Sequence, residues 1–435
     1  MGVNVVHLLC FVLALTNGQN VVIKLNETKL PTDLHNGFTE KIGNFSLELL
    51  YHTAKQENGN NLIMSPITVW TILAVTAEGA SGNTLAQIDY ALRLELNKTV
   101  TRLGFQDVAR WLQVHTNTIE LAKLNAIFVD EEKLPMKDFR SIAKNYYDTE
   151  MVTLNYSQVG EVAVHKLNDA ISQFTHGKIS KIVDDSFFSE GEMVMASALY
   201  FKGQWTVPFN KSSTSLMPFY DSNGKQTGQV NMMYNRFAYP FANIKQLQAK
   251  ICELPYGNEN RLSMIIMIPH LNISLQDMFR NMKTVPMDTL FSELRIARED
   301  YSDEEVDLFL PRFKIQSNLV LTDMLKNNFG IVDLFEKFSA RLPHMSRVPL
   351  YVTKIIHKAA IEVTEEGSTA AGVTVAEFAN RIGITRFEAN RPFSYMIVEK
   401  YQNYFVLEYK EKRRRKKINL FQHSTQEKET NINSA

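Results

Sequence analysis

Residues 66–79 read PITVWTILAVTAEG, a helical stretch through Trp70, Leu73 and Val75 that is apolar nearly all round. A helix with no polar face has to be covered on every side, so this one must be buried. A chain of 435 residues would divide into two or three domains by length alone. The hydrophobic pattern offers no clear place to cut, and residues 38–410 read as one domain. Hydrophobic residues make up 45% of the chain and charged residues 22%, ordinary values for a globular protein with a large core. Basic and acidic residues balance at 47 each, so no global field points to nucleic acid or to a membrane surface.

Around the buried helix the pattern is mixed. Phe38, Ile42, Phe45 and Leu49 recur at helical spacing and predict an amphipathic helix. Asn60-Asn61 breaks it, Leu62-Ile63-Met64 reads as a short buried strand, and Ser65-Pro66 as an N-cap with proline at the first helical position. Leu85, Ile88 and Leu92 mark another helix. Strands are predicted at 121–129, 151–154, 193–201, 251–254, 262–268, 306–315 and 351–363, and helices at 139–147, 162–174 and 319–327. Helices concentrate early and strands late, without a regular βαβ rhythm. That argues an α+β fold with large mixed sheets. Residues 365–389 are small, polar and weakly patterned, an exposed loop by composition. Residues 411–435 open on a basic cluster and continue as a polar tail with little capacity to form a core, read as disordered.

Residues 5–15, VVHLLCFVLAL, form a short apolar run, and small or polar residues follow up to Gly18. The run is too short to cross a membrane and reads as the core of a signal peptide over 1–18; no Lys or Arg precedes it, and a buried N-terminal strand is the alternative. Nothing later is long and apolar enough to span a bilayer. Six glycosylation sequons, at Asn26, Asn44, Asn97, Asn155, Asn210 and Asn272, fit a secreted protein. Asn44 falls within a helical pattern, which leaves the other five as the candidates. Cys10 lies in the apolar run and Cys252 is the other cysteine, so the mature chain has no intramolecular disulfide to support it. Its core alone must hold it, as in a large single domain.

No nucleophile elbow, phosphate loop, dinucleotide fingerprint or paired-histidine zinc motif occurs. The ten histidines include no i, i+4 pair suited to a helical metal site, and one mature cysteine removes any thiolate cluster. No metal and no cofactor are expected. His357 sits in an apolar strand pattern and reads as a hydrogen-bonded core histidine. Glu365 and Glu366 are adjacent, so in an extended chain they face opposite ways, which is poor geometry for shared acid–base work.

Several motifs, taken in order, resemble one family. They are Asn61-Leu-Ile-Met-Ser65-Pro66, Leu199-Tyr-Phe-Lys-Gly-Gln-Trp205, Met232-Met233, Glu253-Leu-Pro-Tyr256, Ser263-Met264, Leu310-Pro-Arg-Phe-Lys-Ile315 and Gly330-Ile331. The most specific is His357-Lys-Ala-Ala-Ile-Glu-Val-Thr-Glu-Glu-Gly-Ser-Thr-Ala-Ala-Gly372. Together, from about Phe38 to Met396, they resemble the serpins, the serine protease inhibitors. The resemblance implies the serpin fold: large mixed sheets, about eight or nine helices and an exposed reactive-centre loop over 365–389.

It also implies a mechanism. In that family, cleavage of the loop lets its N-terminal half insert as a new strand into an existing sheet. Ser65, Thr68, Ser197 and His357 match the region beneath which that sheet opens. Glu365, Glu366, Gly367, Ser368, Thr369, Ala370, Ala371 and Gly372 match the inhibitory hinge. Small side chains at 370–372 limit the resistance to a strand passing between neighbours, and Gly367 has no Cβ to restrict its swing. The bait follows from spacing: about sixteen residues after Glu365, or about eleven before Pro392, both counts reach Arg381, with Ile382 across the bond. An arginine there suits trypsin-like serine proteases, whose specificity pocket ends in a carboxylate. Arg386 competes only if the loop is longer than usual.

Two departures matter. Ser197 stands where many members have asparagine, and Ser394 where an apolar residue is usual. The usual closing strand is replaced by Tyr404-Phe-Val-Leu-Glu-Tyr409, followed by Arg413-Arg-Arg-Lys-Lys417. The apolar run can fill the same central strand, or the chain folds poorly. The basic run reads as a solvated tail, a polyanion tether or a trimming site. The expectation is a secreted, monomeric suicide inhibitor of trypsin-like serine proteases, not an enzyme. A non-inhibitory serpin, acting as carrier, chaperone or store, is the alternative.

Overall fold

The computed structural model describes residues 7–11 and 32–399, apart from 58, 95–96, 112–115, most of 155–192, 259–260 and 367–383. The stretch that opened the reading is helix α2, Pro66–Gly79, and all fourteen of its residues are buried. Ser65 is its N-cap in backbone terms, with Pro66 at the first position, yet the serine side chain makes no capping bond. Helix α1, Thr32–Glu57, lays Phe38, Ile42, Phe45 and Leu49 into the same core. Phe38, Trp70 and Phe105 pack ring on ring there, with Trp70 and Phe105 stacked at 4.4 Å. The remaining helices are α3 (Gly82–Leu92), α4 (Lys98–Trp111), α5 (Lys137–Tyr147), α6 (Leu275–Met282), α7 (Met287–Asp300) and α8 (Thr322–Phe329). Helical residues at 164–165, 168–169 and 171–173 mark a ninth α-helix among the described residues.

Among the described residues, fifteen strands make three sheets. The five-stranded sheet has the order β12 (Phe313–Val320), β13 (Lys354–Val363), β5 (Met193–Gly203), β3 (Ile119–Asp130), β4 (Thr149–Leu154). Its middle is a parallel pair, β13 against β5, flanked on each side by an antiparallel neighbour. The six-stranded sheet runs β2 (Leu62–Met64), β1 (His7–Phe11), β15 (Phe393–Glu399), β10 (Leu262–Pro269), β9 (Ala249–Tyr256), β8 (Phe241–Ile244). The four-stranded sheet runs β14 (Thr385–Glu388), β11 (Val306–Pro311), β7 (Gln226–Phe237), β6 (Ser215–Tyr220). No described helix is long and apolar enough to cross a membrane.

Several boundaries differ from the sequence reading. Residues 306–315, read as one strand, are two strands in two sheets, divided at Arg312. Pro311 has no N–H for a continuing ladder, and the Arg312 amide instead donates to Asn231 O at 2.8 Å. The helix expected at 319–327 starts later, at Thr322, because Leu319 and Val320 finish β12 against β13. The hairpin of β6 and β7 was missed although its turn chemistry was present. Asp221 Oδ1 accepts from the Asn223 and Lys225 amides, and Gly224 takes a φ of 85°. Both ends of the stretch 365–389 depart from exposed loop: Glu365 is 3% exposed, and Thr385–Glu388 is strand β14. Composition hid both ends, because what buries them comes from distant segments. Within the helix expected at 162–174, the described residues 164–165, 168–169 and 171–173 are all helical.

The apolar N-terminal run contributes strand β1, parallel to both β15 and β2. That is the alternative to a removable leader, and it uses the same residues.

Candidate functional site

The parallel centre of the five-stranded sheet carries a buried polar cluster. His357 on β13 stands in register with Ser197 on β5, and both are fully buried. Ser65 N donates to His357 Nε2 at 2.8 Å, so that nitrogen must carry the lone pair. Nδ1 then carries the proton and donates to Ser197 Oγ at 2.7 Å. Burial pushes the imidazole pKa down to about 3, partly opposed by the hydrogen bonding at Ser197, so the ring is neutral. Thr68 Oγ1 donates to Ser65 O at 2.8 Å and ties the start of α2 to the same point. One step outward, Ile63 N donates to Ser317 Oγ on β12. Ser65, Thr68, Ser197 and His357 are therefore brought together, although His357 and Ser197 are 160 positions apart. Serine in place of asparagine at 197 keeps a hydrogen bond to the ring.

Small and large side chains alternate across this centre, Ala196 opposite Ile356, Ala198 opposite Lys358, Ala359 opposite Leu199 and Ala360 opposite Tyr200. Ala196 and Ala198 on β5, and Ala359 and Ala360 on β13, are buried along the parallel pair. The chain leaves β13 at Val363 and is caught at once. Trp205 Nε1 donates to Thr364 O at 2.8 Å, Trp205 N to Glu366 O at 3.3 Å, and Phe209 N to Glu365 O at 3.2 Å. Trp205 is itself fixed by stacking on Tyr256 at 4.3 Å. Gly203 allows this, since a Cβ there would fall 2.6 Å from the Tyr256 ring. The two glutamates diverge as an extended chain requires. Glu365 points inward, accepting from Thr214 Oγ1 at 2.8 Å with Arg312 at 3.5 Å, and exposed Glu366 lies 3.7 Å from Lys202. Thr214 and Arg312 were not found by sequence reasoning. Arg312 lies in the motif Leu310–Ile315, but nothing local ties it to a glutamate more than fifty residues on.

The hinge residues Gly367, Ser368, Thr369, Ala370, Ala371 and Gly372, and the pair Arg381 and Ile382, lie outside the described residues. The chain returns at β14, parallel to β11 at the edge of the four-stranded sheet. Arg386, the competing bait, is inside that strand in register with Asp307, its guanidinium 2.5 Å from Glu388. Asn97 and Asn272 are exposed, while Asn44 and Asn210 are half-buried; Asn26 and Asn155 lie outside the described residues. The tail from 400 on, including Tyr404–Tyr409 and Arg413–Lys417, lies there too. Cys252 is buried, and burial pushes its thiol pKa well up, so it is no nucleophile. No group of three His, Cys, Asp or Glu side chains suited to a metal occurs among the described residues.

The family model for serpins (serine protease inhibitors) matches residues 40–407. Human serpin B9 is 30% identical over 363 residues, covering 82% of this chain and 93% of its own length. Bovine leukocyte elastase inhibitor is 30% identical, with 82% and 94% covered. Among solved structures, a tumour-suppressing serpin superimposes with a TM-score of 0.71 at 25% identity, covering 83% of this chain and 95% of that one. Human thyroxine-binding globulin, at 22% identity and a TM-score of 0.72, shares the fold. The chain belongs to the serpin family. Its relatives are named as protease inhibitors, and it is not an enzyme.

Proposed function

We propose that this chain is a secreted, monomeric suicide inhibitor of trypsin-like serine proteases, with Arg381–Ile382 as the bond offered. The observation that carries the reading is the direct parallel pairing of β13 with β5 and the chain's exit from β13 into Glu365 and the hinge residues. The strand that would enter is covalently continuous with one of the two it would part. Small residues at 370–372 lower the steric cost of passage.

The protease serine attacks the Arg381 carbonyl, and the bond to Ile382 breaks with loss of the amine half. The acyl-enzyme is carried away as the hinge inserts, which distorts its oxyanion hole before water completes hydrolysis. Arg381 is favoured over Arg386 because Arg386 is engaged in a sheet strand and paired with Glu388. Its guanidinium also matches a pocket carboxylate through charge-assisted hydrogen bonds.

Secretion rests on the leader pattern and on the sequons, of which Asn97 and Asn272 are the exposed ones. Strand β1 is the competing use of residues 7–11. N-terminal sequencing of protein recovered from culture medium separates the two: a start near residue 19 supports secretion with removal of the leader, and retention of residues 7–11 refutes it.

The inhibitory reading is tested by mixing the purified chain with trypsin and resolving the mixture on a denaturing gel. A stable band near the summed mass, absent in Arg381→Ala, is the expected result. Cleavage at Arg381 without such a band would instead describe a substrate, and the inhibitory assignment would be lost.

A further inference from the structure

Where the four-stranded and six-stranded sheets meet, a surface cleft of about 330 Å³ is lined by Lys250, Ile268, Arg386, Glu388 and Arg391. Three cations face one carboxylate. Glu388 is already engaged, with Arg386 Nη2 at 2.5 Å on one oxygen and Asn390 Nδ2 at 3.0 Å on the other. Arg391 is held rigidly: its Nε and Nη2 both donate to Pro269 O, at 3.2 and 3.0 Å, which leaves Nη1 without a partner among the described residues. Lys250 stands in register between Ile268 and Asn243, and its ammonium has no hydrogen-bond or ion-pair partner among the described residues. Arg386 is additionally placed by its position 5.0 Å over the Phe309 ring. The cleft thus presents an excess of two positive charges on anchored backbones, with unused donors.

A neighbouring side chain reports the same excess. His270, hydrogen-bonded to Asn243 Oδ1, is held below its ordinary pKa first by burial and then by the charges of Lys250 and Arg391. The volume lies within the range of built ligand pockets and exceeds what a single small ion fills.

We propose that this cleft is an oxyanion-binding site, taking a sulfate or phosphate group through Lys250, Arg386 and Arg391. A guanidinium fork and an ammonium are the donors suited to tetrahedral oxyanions. The site sits at the C-terminal root of the reactive loop, four residues beyond Ile382 at its nearest, and is separate from the basic run at 413–417. Two sources offer the chemistry: the free inorganic ion, and the sulfate groups of an acidic glycan chain. The proposal does not depend on the inhibitory reading, since it concerns binding alone.

The test uses the full chain and two probes, inorganic sulfate and heparin, with affinity measured by calorimetry and the His270 ring followed by NMR. Binding should raise the His270 pKa, because an anion offsets the two cations beside it. Lys250→Ala/Arg386→Ala should weaken binding tenfold or more, while Arg413→Ala/Arg414→Ala/Arg415→Ala should retain it. Should the double variant be destabilised, Lys250→Gln removes one charge at nearly constant shape and should weaken binding severalfold. A His270 shift with sulfate alone identifies the free ion as sufficient; a shift only with heparin identifies the glycan chain. Binding that survives the double variant within twofold, or that disappears only with the tail variant, overturns the proposal. So does failure of both probes at millimolar concentration to move His270.

Discussion

The two largest sheets are both deeply buried, yet they are filled in opposite ways. At the centre of the six-stranded sheet, Met264, Ile265 and Ile266 on β10 stand opposite Ile397, Met396 and Tyr395 of β15 in antiparallel register. At the centre of the five-stranded sheet, the parallel pair carries Ala196, Ala198, Ala359 and Ala360, with Ser197 and His357 hydrogen-bonded between them. Large interlocked side chains resist any change of neighbour, because each loses many contacts at once. Small side chains and a few polar links leave less to lose when strands part. The six-stranded centre is thus held chiefly by packing, and the five-stranded centre by packing together with a buried hydrogen-bonded cluster.

The comparison is sharpened most by truncation. Ile266→Ala should cost about 3 kcal/mol, the transfer and cavity terms together, read as a lowered urea midpoint. A loss below about 1 kcal/mol would show that the six-stranded sheet is not the rigid partner.

Buried hydroxyls give a second contrast. Ser197→Ala orphans the His357 Nδ1–H and should cost about 1–3 kcal/mol. In the six-stranded sheet, Ser263 Oγ is buried with no partner among the described residues, so Ser263→Ala should be neutral or stabilising. Equal losses at the two positions would erase the distinction between a working and an idle buried polar group.

The sheets also answer pH with opposite sign. His357 is held far below its unfolded pKa, so the unfolded chain binds the extra proton between about pH 3 and 6.5. Its contribution is complete above 6.5 and falls by about 2 kcal/mol on reaching pH 5. Glu399, at the end of β15, is pushed up to about 7 by burial, which outweighs the Arg261 guanidinium bonded to it. Its contribution is complete below the unfolded carboxylate value, near 4.5, and is lost as pH rises through 7. The two trends oppose each other between 4.5 and 6.5. Urea midpoints across pH should therefore tilt toward acid stability in His357→Gln and toward alkaline stability in Glu399→Gln. If both variants track the parent profile, neither group titrates as its burial requires.

The smallest effect lies where β13 hands over to Glu365 and Glu366. Glu365→Ala removes the Thr214 hydrogen bond and the Arg312 contact and should cost about 1 kcal/mol. Exposed Glu366 should tolerate the same change within about 0.5 kcal/mol, measured on the same urea curves. Reversal of that order would place the anchor on the wrong glutamate.

Much of this was legible in the chain. Helical spacing located α1 and the all-apolar α2, and continuous apolar runs located β3, β5, β9, β10 and β13 to within a few residues. Local chemistry was also present where it went unread, as at Asp221 and Gly224 in the β6–β7 turn. What stayed hidden was long-range. Nothing local divides residues 306–320 between two sheets except a proline followed by an arginine. Glu365 looks like loop until Thr214, Arg312, Trp205 and Phe209 converge on it.

The sequence by itself determined many of the helix and strand segments, that α2 must be enclosed, that the hinge residues are small, and that His357 belongs to a strand. Those are properties of periodicity and side-chain size, which act over a few residues. Only the tertiary structure decided that β13 lies parallel to β5, that His357 meets both Ser65 and Ser197, and that Lys250, Arg386 and Arg391 share one cleft. Strand partners and charge clusters are chosen by packing between segments more than a hundred residues apart, and no local pattern encodes that choice.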